Sequence, residues 1–354
     1  MSAQFLAEEK LSDFLLGLDG AGVFAQTRDD AGSDFERLER GDAAQLALRE
    51  PRAPGSLKTF LFPTKERVAV YPSEGYDWAA GAGVAETTVV AGVRACDIEA
   101  MKILDSVFVQ EDWVDPFYQA RREATTVVAV DCVEPSAACF CTLVGGKPYV
   151  EEGADVVLTP IADGYVADAL TDKGKEMMVA SVGLLREATE AEMTARQEAR
   201  SAAADRLAEI NAAFGPPNAF AQPVDVDLDS DHWRERAGEC VECGSCTAIC
   251  PTCHCFQLYD QASDSEEGPF ERMKTWDSCI LSSYSKMAGA GGMKASPRPE
   301  LRHRFANRLV HKFTWFPANM GRLACVGCGR CIEACLGKRD LRELLGELAM
   351  EEVS

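Results

Sequence analysis

Residues 239–255 read "ECVECGSCTAICPTCHC", and two incompatible chemistries overlap in that run. Cys240, Cys243, Cys246 and Cys250, followed by Pro251, have the spacing of a bacterial ferredoxin motif, whereas Cys250, Cys253 and His254 have the spacing of a c-type haem attachment site. Cys250 cannot serve both.

A second copy of the first pattern decides between them. "ACVGCGRCIEAC" (324–335) repeats the spacing with Cys325, Cys328, Cys331 and Cys335. In such a motif three thiolates hold three irons of one cubane, and the fourth points to a neighbouring cluster. The two copies therefore complete each other. Cys240, Cys243, Cys246 and Cys335 would hold one [4Fe–4S] cluster, and Cys325, Cys328, Cys331 and Cys250 the other. Glycines 244, 327 and 329 suit loops whose backbone must pass close to sulfide. Structural zinc also uses paired C-x2-C units, but it gives no reason for a third cysteine at the next gap in both copies. Haem attachment normally follows export, for which there is no signal, and would take Cys250 from the second cluster.

Seven further cysteines are left over. Cys253, Cys255 and Cys279 lie beside the motifs, and the readings open to them are small buried residues or a redox-active or ligating trio. Cys96, Cys132, Cys139 and Cys141 fall in the amino-terminal half. Cys96 and Cys132 directly follow two expected strands, so they would meet at one edge of a parallel sheet, where α/β proteins place their sites. A third iron–sulfur cluster held by these four is the functional reading, and buried structural thiols the alternative.

The rest of the chain frames these motifs. Its 354 residues are 47% apolar and 26% charged, an ordinary globular balance and enough for about two domains. A net charge of −21 argues against nucleic acid as a partner. The first twenty residues carry acids where a secretory signal needs bases, and their apolar spacing suggests an amphipathic helix. No apolar run is long enough to span a bilayer, so the expected location is the cytoplasm, where fifteen cysteines are metal ligands sooner than disulfides.

Residues 1–185 alternate valine-rich runs (67–71, 87–93, 126–132 and 155–161) with a helical pattern at 97–108, which predicts an α/β domain. Residues 186–228 read as a helical linker stopped by "FGPPNAFAQP". Residues 229–354 form the expected mainly α-helical, ferredoxin-like dicluster domain, with an insertion at 256–322. Segment 294–339 carries ten Lys or Arg against Glu300 and Glu333. His303 and His311, with Arg302, Arg304, Arg308 and Lys312, would give one helix a basic side, suited to docking or to neutralising cluster charge. His232 and His254 have no obvious partner. "GAGVAE" (81–86) reads as a turn, and no nucleotide-binding loop, HExxH or GxSxG is present, so no catalytic residue is named.

Taken in order, "GVRACDIEAMKILDSVF", "DPFYQARRE", "DCVEPSAACFCT", "CVECGSCTAICPTCHC", "WDSC", "RHRF", "HKF" and "CVGCGRCIEAC" resemble the β subunits of sulfhydrogenases, the A subunit of anaerobic sulfite reductase and kindred dicluster proteins. The resemblance implies a non-catalytic subunit of anaerobic metabolism. It would relay electrons between an FAD-containing subunit of the ferredoxin–NADP reductase type and a catalytic subunit such as a hydrogenase or sulfite reductase. The sequence departs from that pattern at Ala95 (usually proline), Asp131 (often asparagine), His254 (usually aromatic) and Leu336 (proline in ferredoxin motifs). The alternative from another class is a self-contained iron–sulfur reductase that acts on a sulfur compound or a disulfide through the extra cysteines.

Overall fold

A computed structural model describes residues 2–18, 20–30, 32–41, 45–71, 85–224, 227–263, 270–284, 286 and 296–351. Most of the glycine string at 81–86 lies outside them. The chain opens with β1 (Gln4–Ala7), α1 (Leu11–Leu15), β2 (Gly22–Asp29), β3 (Gly32–Arg37), α2 (Lys58–Leu61), β4 (Lys65–Tyr71) and β5 (Thr88–Val93). There follow α3 (Ala95–Phe108), α4 (Pro116–Ala124), β6 (Thr125–Val130), β7 (Val156–Ile161), β8 (Gly164–Ala169), α5 (Asp172–Ala180) and β9 (Leu185–Glu187).

The large sheet has the order β3-β2-β5-β6-β7-β8-β1-β9, with β2, β5, β6 and β7 mutually parallel. Its central strands are buried on both faces, which is why they read as continuous valine runs. Val128 and Val130 face one cluster with Leu6, Phe14 and Leu158, while Val127 and Ala129 face the other with Ile98, Met101 and Leu104 of α3. The first residues depart from the amphipathic helix expected of them. Phe5 and Leu6 belong to β1, which pairs with β8 and β9, and only Leu11, Phe14 and Leu15 are helical.

Helix α3 starts from Arg94 in an extended conformation (φ −93°, ψ 164°), with the Asp97 carboxylate returning to the Arg94 amide. Ala95 is the first helical residue, where proline's fixed φ and missing N–H cost nothing. Ala95→Pro is therefore expected to keep the fold and raise stability by about 0.5 kcal/mol, checked by the thermal midpoint.

The linker helix α6 (Glu190–Ile210) is capped by Thr189 and Glu192 and lies against the sheet. Arg200 reaches the buried Asp131 carboxylate at 2.7 Å, and Thr159 donates to the same oxygen at 2.6 Å. The acid at 131 thus serves as the anchor of α6.

Beyond it come α7 (Asp231–Ala237), α8 (Ser245–Ala248), β10 (Phe256–Ala262), β11 (Phe270–Trp276), α9 (Leu301–Val310), α10 (Phe316–Met320), α11 (Arg330–Glu333) and α12 (Leu341–Glu351). A π-helical turn, His311–Trp315, joins α9 to α10. This region is mainly helical, but its insertion contains the β10–β11 hairpin. The expected strand at 67–71 leaves the large sheet to the other strands: β4 pairs antiparallel with β11 in a second, three-stranded sheet. A buried network fixes that join, with Lys274 2.6 Å from both Glu66 and Asp115, and Arg121 also 2.6 Å from Glu66. Among the described residues no helix is long and apolar enough to cross a membrane.

Candidate iron–sulfur sites

The two motifs have the same local construction. Gly244 (φ 73°) precedes α8 and Gly329 (φ 74°) precedes α11, each turning the chain sharply between the second and third cysteine. Residues 242 and 327 also match, both left-handed at φ 52° and 62°. Glu242 carries a side chain there, held by Arg304, whereas a Cβ on Gly327 would lie 2.6 Å from the Cys141 backbone.

Three cavities are each lined by four or more cysteines. Cys240, Cys243, Cys246 and Cys335 line the first, with Cys331 at its edge. Cys250, Cys325, Cys328 and Cys331 line the second. Cys96, Cys132, Cys139 and Cys141 line the third, together with Cys328. Cys96 sits in the first turn of α3 after β5, and Cys132 follows the adjacent parallel strand β6, so the sheet edge brings the amino-terminal four together. Among the described residues no three His, Cys, Asp or Glu side chains converge as ligands of one ion would. Ligands of a cubane need not converge so closely, since each holds a different iron.

The donor sets suit iron–sulfur clusters, and buried cations support that fit. Arg308, on α9, borders the first two cavities, and its Nε is buried without a partner among the described residues. Lys312 is 3% exposed and donates to Thr252 Oγ1 at 2.6 Å and the Ala324 carbonyl at 2.9 Å. Thr252 Oγ1 in turn lies 3.2 Å from Cys250 Sγ. Burial works against both charges, yet the surrounding cysteine sulfurs outweigh it and raise both pKa values. At the third cavity Arg94 is 1% exposed and donates to the Leu48 and Glu50 carbonyls at 2.8 Å, with its Nε unpartnered among the described residues. Arg52 bonds the Cys328 carbonyl and, at 2.8 Å, Glu333. Buried cations are costly unless matched by negative charge, which cysteinate-ligated clusters supply.

The thiols carry the complementary signal. Burial pushes Cys132 and Cys331 up to about 11 and Cys325 up to about 12. Such sulfurs become thiolates when a metal centre takes them.

The sequence reading had no signal for Arg52 or Arg94, because arginine in a sequence looks solvated. It did single out the basic helix, and the structure divides that set. Arg304, Arg308 and Lys312 are buried, while Arg302 and His303 meet Asp229. His232 is 2.6 Å from Ser230 Oγ through Nδ1, and His254 Nδ1 lies 3.0 Å from the Thr252 carbonyl. Burial lowers His254 to about 4, and its ring packs beside Phe108, His311 and Phe316. A neutral imidazole thereby fills the place of the usual aromatic ring. Leu336 is 70% exposed, so no packing demands proline there.

Comparison with known proteins agrees with this chemistry. Residues 239–339 match the family described as a 4Fe-4S dicluster domain. Over 344 residues, 97% of this chain and 97% of the relative, the sequence is 29% identical to sulfhydrogenase 2 subunit beta of Pyrococcus furiosus. The segment 239–339 carries the match to a 4Fe-4S dicluster domain, and along nearly its whole length the chain is similar to a sulfhydrogenase β subunit, the resemblance that its motifs imply.

Proposed function

We propose that the chain is an electron wire of three [4Fe–4S] positions, the third held by Cys96, Cys132, Cys139 and Cys141. Each cluster would supply one-electron uptake and release at a potential set by neighbouring charge and hydrogen bonds. The observation that carries the reading is that the three cavities adjoin in series. Arg308 and Cys331 border both the first and the second, and Gly327 and Cys328 border both the second and the third. The protein's own part is to hold the sulfurs, keep fixed cations between them and exclude water from the middle of the series.

Both ends open outward. Cys243 is exposed beside Val241 and Leu336, which are 60% and 70% exposed, and Cys96 and Cys141 border an open groove of about 540 Å³. These ends suit an FAD-containing donor subunit and a catalytic oxidoreductase subunit, the pair that the β-subunit resemblance implies.

Anaerobically purified chain should contain about twelve irons and as many sulfides, and Cys132→Ala about eight with the fold retained. About eight irons in the parent chain would remove the third position, and stoichiometric zinc would overturn the reading. Val241→Asp combined with Leu336→Glu should leave iron unchanged and slow electron exchange with the partner at that end by about tenfold or more, as loss of an apolar docking contact does. An unchanged rate would move the docking site elsewhere.

A further inference from the structure

The base of the β10–β11 hairpin holds two thiols that the three cavities do not use. The strand register pairs Phe256 with Trp276, and the Asp277 amide donates to the Cys255 carbonyl at 3.0 Å. This brings Cys279 beside Cys255. The two thiols hydrogen-bond to one another, and the Tyr284 hydroxyl also reaches the Cys255 sulfur. Cys279 is buried, whereas Cys255 is half-buried and lines an open cavity of about 290 Å³ with Lys58, Cys253, Trp276 and Cys243. Cys253 is engaged elsewhere, hydrogen-bonded to Cys250.

The pair is chemically asymmetric. The Cys279 hydrogen bond, aided by Tyr284 and the charge of Lys312, lowers Cys255 against the opposing effect of burial. The same hydrogen bond, with burial, raises Cys279. The half-buried sulfur is shifted toward the thiolate, and the buried one behind it toward the protonated thiol. That is the division of labour between an attacking and a resolving cysteine.

We propose that Cys255 and Cys279 form a redox-active dithiol that exchanges with a small organic disulfide entering this cavity. The Cys255 thiolate attacks one sulfur of R–S–S–R. The R–S–S–R bond breaks, one RS⁻ leaves and takes a proton from solvent, and Cys255 retains the other half as a mixed disulfide. Cys279 then loses its proton to solvent and attacks the Cys255 sulfur. The second RS⁻ leaves and is protonated, and the Cys255–Cys279 disulfide remains. The disulfide is reduced to two RSH while two protein thiols are oxidised, so no other oxidant is needed. Return to the dithiol takes two protons from solvent and two electrons, which a [4Fe–4S] cluster held by Cys240, Cys243, Cys246 and Cys335 would supply one at a time, since Cys243 lines the same cavity. Only this return step rests on the proposed electron wire.

The test uses the full-length, anaerobically purified chain with 2-hydroxyethyl disulfide, read by thiol release, non-reducing peptide mass mapping and iron content. The expected result is two thiols released per chain and a Cys255–Cys279 cross-linked peptide. Cys279→Ser should trap the mixed disulfide on Cys255, and Cys255→Ser should form neither product. Tyr284→Phe, which leaves both sulfurs in place, should slow exchange by about threefold to tenfold through a less stabilised thiolate. Absence of the cross-link and of the trapped adduct, with iron intact, overturns the proposal. Loss of iron in Cys255→Ser or Cys279→Ser also overturns it, by making the pair cluster ligands. Low iron in the parent chain with the exchange products present would instead support the dithiol and overturn the electron wire.

Discussion

Lys312→Met should lower the midpoint potential of the cluster position that includes Cys250 by about 0.1 V, with iron content unchanged. The charge at Nζ reaches Cys250 through one hydroxyl, at 2.6 Å to Thr252 Oγ1 and 3.2 Å from there to the sulfur. Nζ is therefore no more than about 6 Å from the ligand, and at an effective dielectric of about 20 a unit charge at that range contributes about 3 kcal/mol, or about 0.1 V per electron. The sign follows from the electron count. Reduction adds negative charge, a nearby cation favours the reduced form, and removing that cation makes reduction harder. Methionine keeps the volume of the stem, and Lys312→Arg keeps the charge and should hold the potential within a small fraction of the Met shift. A redox titration followed by electron paramagnetic resonance reads both. A shift near zero in Lys312→Met, with iron intact, would remove the charge from the neighbourhood of the cluster.

That cation also shows where the sequence was readable. The cysteine spacings are local, so two motifs of this kind can be seen in the chain itself, and the valine runs reveal the central strands because each is buried on both faces. What depends on distant partners was hidden. Residues 65–71 alternate as any strand does, and nothing in them says that β4 pairs with β11 across some two hundred residues. Phe5 and Leu6 of β1 and Leu11, Phe14 and Leu15 of α1 run together into a pattern that resembles one helix. Lys312 and Arg308 are legible as part of a basic helix side suited to docking or to neutralising cluster charge, but that they turn inward depends on the sulfurs they meet. Cys255 and Cys279 are separated by a hairpin, and only its register puts them side by side.

Gly327→Ala should be among the most damaging changes in the chain that touch no sulfur. It is expected to cost more than about 4 kcal/mol, beyond the usual range of a single substitution, and to leave about a third of the iron. Gly327 lies where the second and third cavities adjoin. Its carbonyl accepts from the Phe140 amide at 2.7 Å, and a Cβ would stand 2.6 Å from the Cys141 Cα and amide nitrogen. Those are backbone atoms of Cys141, itself one of the third set, so relief requires moving loop 138–141 away from loop 325–329. Either movement disturbs two sets of sulfurs at once. Gly321→Ala separates this contact from simple backbone strain, because Gly321 has φ +69° with nothing within 4 Å of its Cβ position. It should lose only the left-handed penalty of about 1–2 kcal/mol and keep its iron. Thermal midpoints and iron per chain of the two variants, measured anaerobically, decide the matter, and equal losses would mean that the close approach at 327 is unimportant. The first motif already argues against strain as the cause. Glu242 holds the same left-handed position at φ 52° with a full side chain, paired to Arg304 where the second motif meets Cys141. What excludes a side chain at 327 is therefore the neighbouring loop, and that neighbour is the route by which the third set of cysteines meets the second.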